Sequence, residues 1–280
     1  MNKNGKRIIT IVKYIFLFTA GFLMILPFYW LVAASLMTPQ EFISMPPKWI
    51  PHSPQWHNYV DVFKRIPMWK YYMNSLIVST SVTLLVLITS ALAGYSFAKL
   101  RFAGNRILFR FVLATMMFPA FLFLIPVFYL MKQFGWLHSR LSLITPFIVS
   151  GYGIFLLRQF IVTIPNELLD VAKIDGASQS NIFSMIILPL AKPALATLGI
   201  LTFIGQWNSF MWPLIITSSA PEIMTIPVGL SRLSLAFSTL ENQNLILAGL
   251  VLQVIPVVVL FLYLQRYYIK GIVLSGFGGI

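Results

Sequence analysis

P-N-E-L-L-D-V-A-K-I-D-G-A-S-Q-S-N-I-F-S-M-I-I-L-P-L-A-K-P, residues Pro165 to Pro193, holds Glu167, Asp170 and Asp175, three of only seven acidic residues in a 280-residue chain that is 58% hydrophobic. Carboxylates at that density place the stretch in water. Its order is that of two short helices joined by a sharp turn. Asn166 is expected to cap the first helix, with Glu167 and Asp170 in its opening turns, where the positive end of the helix dipole favours carboxylates. Leu168, Val171 and Ala172 stand at i, i+3, i+4 and form one apolar stripe. Gly176, after Asp175, is the natural left-handed stop. A second helix can start near Ser178 or Ser180 and carry Ile182, Phe183, Ile186 and Ile187 up to Pro189. A pair this short is not stable alone and calls for a protein surface to dock on. Burying Leu168, Leu169 and Val171 in a partner's groove would contribute roughly 1.5 to 3 kcal/mol per side chain.

The surroundings of the stretch are lipid-soluble. Charged residues make up 10% of the chain and the mean hydropathy is +0.84, far from the roughly 25% charge of a soluble domain. This composition defines an all-α polytopic membrane protein. There is no cysteine, so disulfides, thiol nucleophiles and cysteine metal sites are excluded. The net charge of +13 would suggest nucleic acid in a soluble chain, but no basic stripe interleaved with aromatics occurs in a soluble segment. Lys and Arg instead follow membrane topology.

Six spans are expected. The first is an apolar run from Ile8 to about Leu36 behind Lys3, Lys6 and Arg7, longer than a cleaved signal's apolar core and therefore retained. A polar external interval, Thr38 to Met73, is rich in Pro and Trp and suits turns and short interfacial helices; His52 and His57 within it do not make a metal site. The second span is Asn74 to Phe97, with Ser90, Gly94 and Ala98 recurring every fourth residue. That pattern is either a face for close helix approach or chance. The third, Leu108 to Met131, carries Pro119 and Pro126 and should be kinked. The fourth, Leu141 to Phe160, contains Ser150-Gly151-Tyr152-Gly153, whose loosened backbone must face protein or a water-filled path. The fifth runs from Ala194 to Ile216 and the sixth from Leu245 to Tyr267, with Thr217 to Asn244 between them as an outward loop or short amphipathic helix. An even number of spans puts both termini on one side. That side holds Lys3, Lys6, Arg7, Lys13, Lys99, Arg101, Arg106, Arg110, Arg158, Lys173, Lys192, Arg266 and Lys270, 13 of the 20 basic residues, so the termini and the opening stretch are expected to be cytoplasmic.

Asp170-Val171-Ala172, three residues, Gly176, nine residues, then Ile186-x-Leu188-Pro189 resembles the "EAA" loop of ABC importer permeases, EAA-x3-G-x9-I-x-LP. Asp170 replaces the usual Glu and Val171 the first Ala. Ile164-Pro165, Asp175-Gly176-Ala177 and Trp207-Asn208-x-Phe210-x-Trp212-Pro213 are similar to the carbohydrate-uptake branch, specifically the smaller maltose-type permease subunit. The likeness runs from about Gly94 to the end. It implies a type I importer fold, one transmembrane permease domain over 1–280 with core spans at about 74–267, an external loop at 38–73 and a coupling loop at 165–189. Glu167, Leu168, Asp170, Val171, Ala172, Asp175 and Gly176 would then form the ATPase-coupling surface. The implied partners are a homologous permease, two ATPase subunits that bind the ATP and Mg, and an extracytoplasmic sugar-binding protein, assembled in a bacterial cytoplasmic membrane. The resemblance also implies that the Gly276–Ile280 tail reaches the ATPase dimer; a disordered end is the alternative. In such importers the ordered sugar contacts lie mainly in the larger permease.

No G-x-x-x-x-G-K-[ST] phosphate loop occurs, so energy for pumping would come from a partner and the chain itself is not expected to be an enzyme. Glu167, Asp170 and Asp175 have no nucleophile or metal cluster beside them to make a catalytic set. For a translocation path the candidates are polar or aromatic groups within spans: Gln206, Asn208 and Ser209 to bond sugar hydroxyls, Trp207 and Phe210 to stack on sugar faces, and Tyr152. The same groups could instead knit helices together. A similar importer for a polyamine or phosphonate stays open. An ion-coupled secondary transporter would usually carry an intramembrane acid, whereas all seven acids fall in loops. A membrane-embedded enzyme lacks its constellation.

Overall fold

A computed structural model describes residues 3–236 and 243–276. Every regular element among them is helical. In order, these are α1 (Lys3–Ser35), α2 (Pro39–Phe42), α3 (His57–Arg65), α4 (Met68–Lys99), α5 (Asn105–Thr115), α6 (Leu124–Gln133), α7 (Leu141–Ile144), α8 (Gly151–Val162), α9 (Asn166–Ile174), α10 (Gln179–Asn181), α11 (Leu188–Leu190), α12 (Lys192–Trp207), α13 (Met211–Thr217), α14 (Ile226–Ala236) and α15 (Gln243–Gly276). Three helices are long and apolar enough to cross a bilayer: Ile9–Ser35, Met68–Lys99 and Gln243–Tyr263. Three bent pairs meet the same test when each is taken together. The tail Phe277 to Ile280 lies outside the described residues.

The bends fall where the backbone loses donors. Between Asn105–Thr115 and Ala120–Gln133 the direction changes by 92°, a larger break than a kink. Pro119 there precedes a 3-10 turn, Ala120–Phe123, while Pro126 sits in the first turn of α6, where its missing N–H costs nothing. The Leu141–Phe147 and Gly151–Val162 segments bend by 43°. Ser150 caps α8 by accepting the Gly153 N–H at 3.0 Å, so the glycines form an ordered first turn and the break comes just before them. The third pair, Gln179–Leu190 and Lys192–Trp207, bends by 74°. A π-helical segment, Ile182–Ile187, ends two residues before Pro189, whose ring would clash with the Met185 carbonyl in a regular α-helix and which has no N–H to offer it. The fifth span therefore ends at Trp207, and α13 is a separate helix after a break at Asn208.

The chain packs as two compact units. One contains residues 1–68 and 229–255. Its core gathers Ala34, Met37, Val62 and Met68 from the first segment with Leu233 and Ala248 from the second. Asn244, buried, donates to the Met37 carbonyl, and Asn58 donates to the Ser35 carbonyl at 2.9 Å. Most of α1 before Val32 exposes its large apolar side chains. The Thr38–Met73 interval is made of turns with α2 and α3, but α4 already begins at Met68.

The other unit contains residues 69–228 and 256–280. Helix α4 contributes Val78, Val82, Val86, Ala91 and Tyr95 to its core and presents Ser90 and Gly94 of the Ser90, Gly94, Ala98 face to α8. A Cβ on Gly94 would stand 3.0 Å from both Arg158 N and Leu157 Cβ, and one on Gly153 would drive into Ser90 Oγ. The four-residue spacing is thus a close-approach face. Across the same unit Trp212 donates to the Ser142 carbonyl at 2.9 Å. Of the interval from Thr217 to Asn244, expected as an outward loop or a short amphipathic helix, Ile226–Ala236 is the helix α14 and residues 237–242 lie outside the described residues. Thr217, Ile223, Met224, Thr225 and Ile226 are buried, and Asn74 and Ser75 bond to this stretch. Asn74 donates to the Glu222 and Met224 carbonyls at 2.8 and 2.9 Å and accepts from Arg140 at 3.0 Å.

In the first unit, Glu41 is nearly buried and completes a capping box with Thr38. The Thr38 N–H donates to one carboxylate oxygen and the His52 N–H to the other, each at 3.1 Å. These N–H groups hold the carboxyl below its ordinary value against a desolvation that pushes it up. Its contribution is therefore fully present above about pH 4.5 and lost as pH falls through the lowered folded value. Amide protection across residues 38–54, corrected for intrinsic exchange, should fall in that acid range and should already be low in Glu41→Gln at neutral pH; a flat wild-type profile would contradict this.

Candidate functional site: the 165–189 hairpin

The hairpin is built locally as its sequence suggests, with one change at its start. Helix α9 covers Asn166–Ile174 and ends in a left-handed glycine, Gly176, at φ +82°. Ala177 N–H reaches the Ala172 carbonyl at 2.9 Å and Gly176 N–H the Lys173 carbonyl at 3.0 Å, the paired bonds of a Schellman closure. Ser178 then accepts the Asn181 N–H at 3.2 Å and starts the second helix. Asn166 does not cap α9; Pro165 occupies that position without a side-chain bond. The Asn166 side chain instead accepts from Lys99 Nζ at 2.8 Å.

Lys99 was not visible as a site residue in the sequence. It ends α4, and its ammonium also donates to the Ile164 carbonyl at 2.6 Å. The cation thus sits beyond the C-terminus of α8, where the dipole favours it, and joins three elements at one point. One turn earlier the buried Tyr95 donates to Gln179 Oε1 at 2.7 Å and packs its ring 5.4 Å from Phe183. Tyr95 and Lys99 stand at i, i+4 at the end of a span. That spacing was the available signal, a polar pair on one face without a charge partner nearby.

The apolar stripe divides. Leu169 is only 4% exposed and Ala172 packs on the internal core, so Leu169 is unavailable to a partner. Leu168, Val171 and Ile174 are 47%, 57% and 85% exposed and make the outward face. Glu167, Asp170 and Asp175 are exposed beside them. Asp170 pairs with Lys173 at 2.8 Å, both largely in solvent, a pair that contributes little. The hairpin therefore shows an apolar patch rimmed by carboxylates, next to a polar groove of about 890 Å³ lined by Lys99, Arg101, Asn166, Asp170 and Lys173.

The second set, residues 206–210, lies at the break between α12 and α13. Asn208 is the C-cap of α12, its N–H bonded to the Ile204 carbonyl at 3.1 Å, and Ser209 N–H bonds the Gln206 carbonyl at 3.1 Å. Asn208 and Phe210 are exposed and Gln206 and Ser209 half-buried. Trp207 departs from expectation. It is fully buried, stacked 5.7 Å from Phe203 and edge-on 5.4 Å from Tyr72, so it has no face to offer a sugar. Tyr152 is exposed in the first turn of α8. Among the described residues no hydrogen bond or ring contact joins it to the 206–210 break.

Membrane-length helices, bent helix pairs and a protruding hairpin with an apolar outer face define a multi-pass helical membrane component. The chain belongs to the binding-protein-dependent transport system inner membrane component family, whose model matches residues 87–273. It is 34% identical over 223 residues to the arabinooligosaccharides transport system permease protein AraQ of Halalkalibacterium halodurans, covering 79% of each chain. It is 31% identical to the lactose transport system permease protein LacG of Rhizobium radiobacter, covering 95% and 96%. It is also 30% identical to the sn-glycerol-3-phosphate transport system permease protein UgpE of Yersinia pestis, covering 96% and 98%. A chain of a bacterial ABC transporter that imports the acidic polysaccharide alginate shares the fold with TM-score 0.82 at 24% identity, over 96% of this chain and 99% of that one.

Lys99→Met keeps the aliphatic stem and removes the ammonium, and hydrogen bonds to charged groups are worth about 1.5 to 3 kcal/mol. Amide exchange over residues 163–170 should accelerate by about tenfold or more while α1 is unchanged; unaltered exchange would show that the ammonium does not anchor the hairpin.

Proposed function

We propose that this chain is the permease subunit of a bacterial, ATP-driven, binding-protein-dependent importer of sugars, in the oligosaccharide range. Each bent pair counts as one span, giving six, and the 13 of 20 basic residues on one side favour cytoplasmic termini. The hairpin docks on an ATPase subunit through Leu168, Val171 and Ile174, with Glu167, Asp170 and Asp175 around them. Nucleotide and Mg bind to that partner. A homologous permease supplies the other half of the path, and a loaded extracytoplasmic binding protein acts on the outward side, at 38–73. Residues Asn208, Phe210, Gln206, Ser209 and Tyr152 are the lining candidates that remain once Trp207 is set aside.

The single observation that carries this reading is the hairpin itself, closed by Gly176, tied to α4 by Lys99 and Tyr95, and apolar on its outer face. Force applied there is delivered to α4 and α8 through a few short hydrogen bonds rather than through a flexible loop. The substrate class is supported by the names of relatives that carry arabinooligosaccharides and lactose; the glycerol-phosphate relative keeps a polyol phosphate as the comparison substrate.

Gly176→Val places a β-branched side chain at positive φ, a strain of roughly 1 to 2 kcal/mol at the docking turn. In proteoliposomes holding the whole importer, it should lower substrate uptake by about tenfold while membrane insertion is retained. Asn208→Leu should reduce uptake more than basal ATP hydrolysis. Normal uptake by Gly176→Val, or uptake driven by an ion gradient without ATP, would refute the assignment.

A further inference from the structure

At the end of α4 a second groove, of about 680 Å³, opens among the 100–104 turn, the start of α5 and α8, and carries Arg101, Arg106, Arg110 and Arg158. No acidic residue lines it. Arg158 is fixed, its guanidinium 4.2 Å over the Phe109 ring and its Nε donating to the Phe97 carbonyl at 3.4 Å. The other three are exposed and make no hydrogen bond or ion pair among the described residues. Like charges gathered without a counter-charge repel, and an anion between them removes that cost. Guanidinium forks match phosphate oxygens in bidentate geometry.

The rim adds a second requirement. Phe102, Ile107, Leu108 and Phe111 are all exposed around the same turn and helix. The groove also stands where a membrane-length helix ends, at Lys99. A soluble anion would satisfy the arginines and leave these apolar groups unused. A ligand with an anionic head and hydrocarbon tails uses both.

We propose that this groove binds the headgroup phosphate of an anionic phospholipid from the leaflet in which α4 ends, with Arg101, Arg106 and Arg110 on the phosphate and Phe102, Ile107 and Phe111 along the acyl chains. The site requires only that the chain spans a membrane and is independent of ATPase docking.

The test is native mass spectrometry of the purified full-length chain, in its complex, after titration with phosphatidylglycerol or phosphatidylcholine. Wild type should retain phosphatidylglycerol about tenfold or more over phosphatidylcholine, as expected for several basic residues at an anionic lipid surface. The triple variant R101Q/R106Q/R110Q should lose the preference; Arg106→Gln alone should reduce it where the triple variant fails to assemble. Equal retention of the two lipids by wild type, or undiminished preference in the variants, would overturn the proposal. Displacement of the lipid by millimolar inorganic phosphate would overturn it in favour of a soluble anion, and loss of a partner subunit from the variants with lipid retention intact would overturn it in favour of a protein contact.

Discussion

One ammonium group ties the 165–189 hairpin to the end of the long helix α4. Lys99 Nζ, at the last residue of α4, bonds the Ile164 carbonyl at 2.6 Å and the Asn166 side chain at 2.8 Å. Without it, the carbonyls beyond α8 and the uncapped start of α9 would lack their strongest partner. With it, and with Tyr95 on Gln179, both arms of the hairpin are referred to one rigid helix. That helix in turn meets α8 closely at Gly94 and Gly153, where an added Cβ would run into Leu157 and Arg158 or into Ser90. Anchoring of the hairpin and close helix packing are therefore consecutive links of one chain of contacts.

Much of this was legible in the sequence because lipid removes alternatives. Unsatisfied backbone is costly in hydrocarbon, so apolar length located the straight spans, and the scarce carboxylates located water. Gly176 was readable because few other residues close a helix in the left-handed region. The Ser90, Gly94, Ala98 spacing was readable only as one of two options, since periodicity does not say what stands opposite; α8 does. Legibility failed where a side chain's partner is distant in sequence. Asn166 looked like a cap because local chemistry favours it, yet a lysine 67 residues away claims its oxygen. Trp207 looked like a sugar platform because a tryptophan beside amides suits one, yet Tyr72 and Phe203 enclose it. The 92° break near Pro119 exceeds what a proline kink alone dictates.

The 206–210 break closes its own backbone. Its N–H groups are satisfied locally by Ile204 and Gln206, so the side chains of Gln206 and Ser209 are not consumed in closing the backbone. Trp207 anchors the break to the core on one side and leaves Asn208 and Phe210 facing outward on the other.

The docking of the hairpin is tested most directly by a cysteine at Val171, in a chain that has no native cysteine. In intact cells Val171→Cys should be silent to a membrane-impermeant maleimide and, in membranes, should crosslink to a co-assembled ATPase subunit with a yield that changes on ATP addition. Labelling from outside the cell, or a crosslink only to lipid-embedded segments, would contradict a cytoplasmic coupling surface and the account built on it.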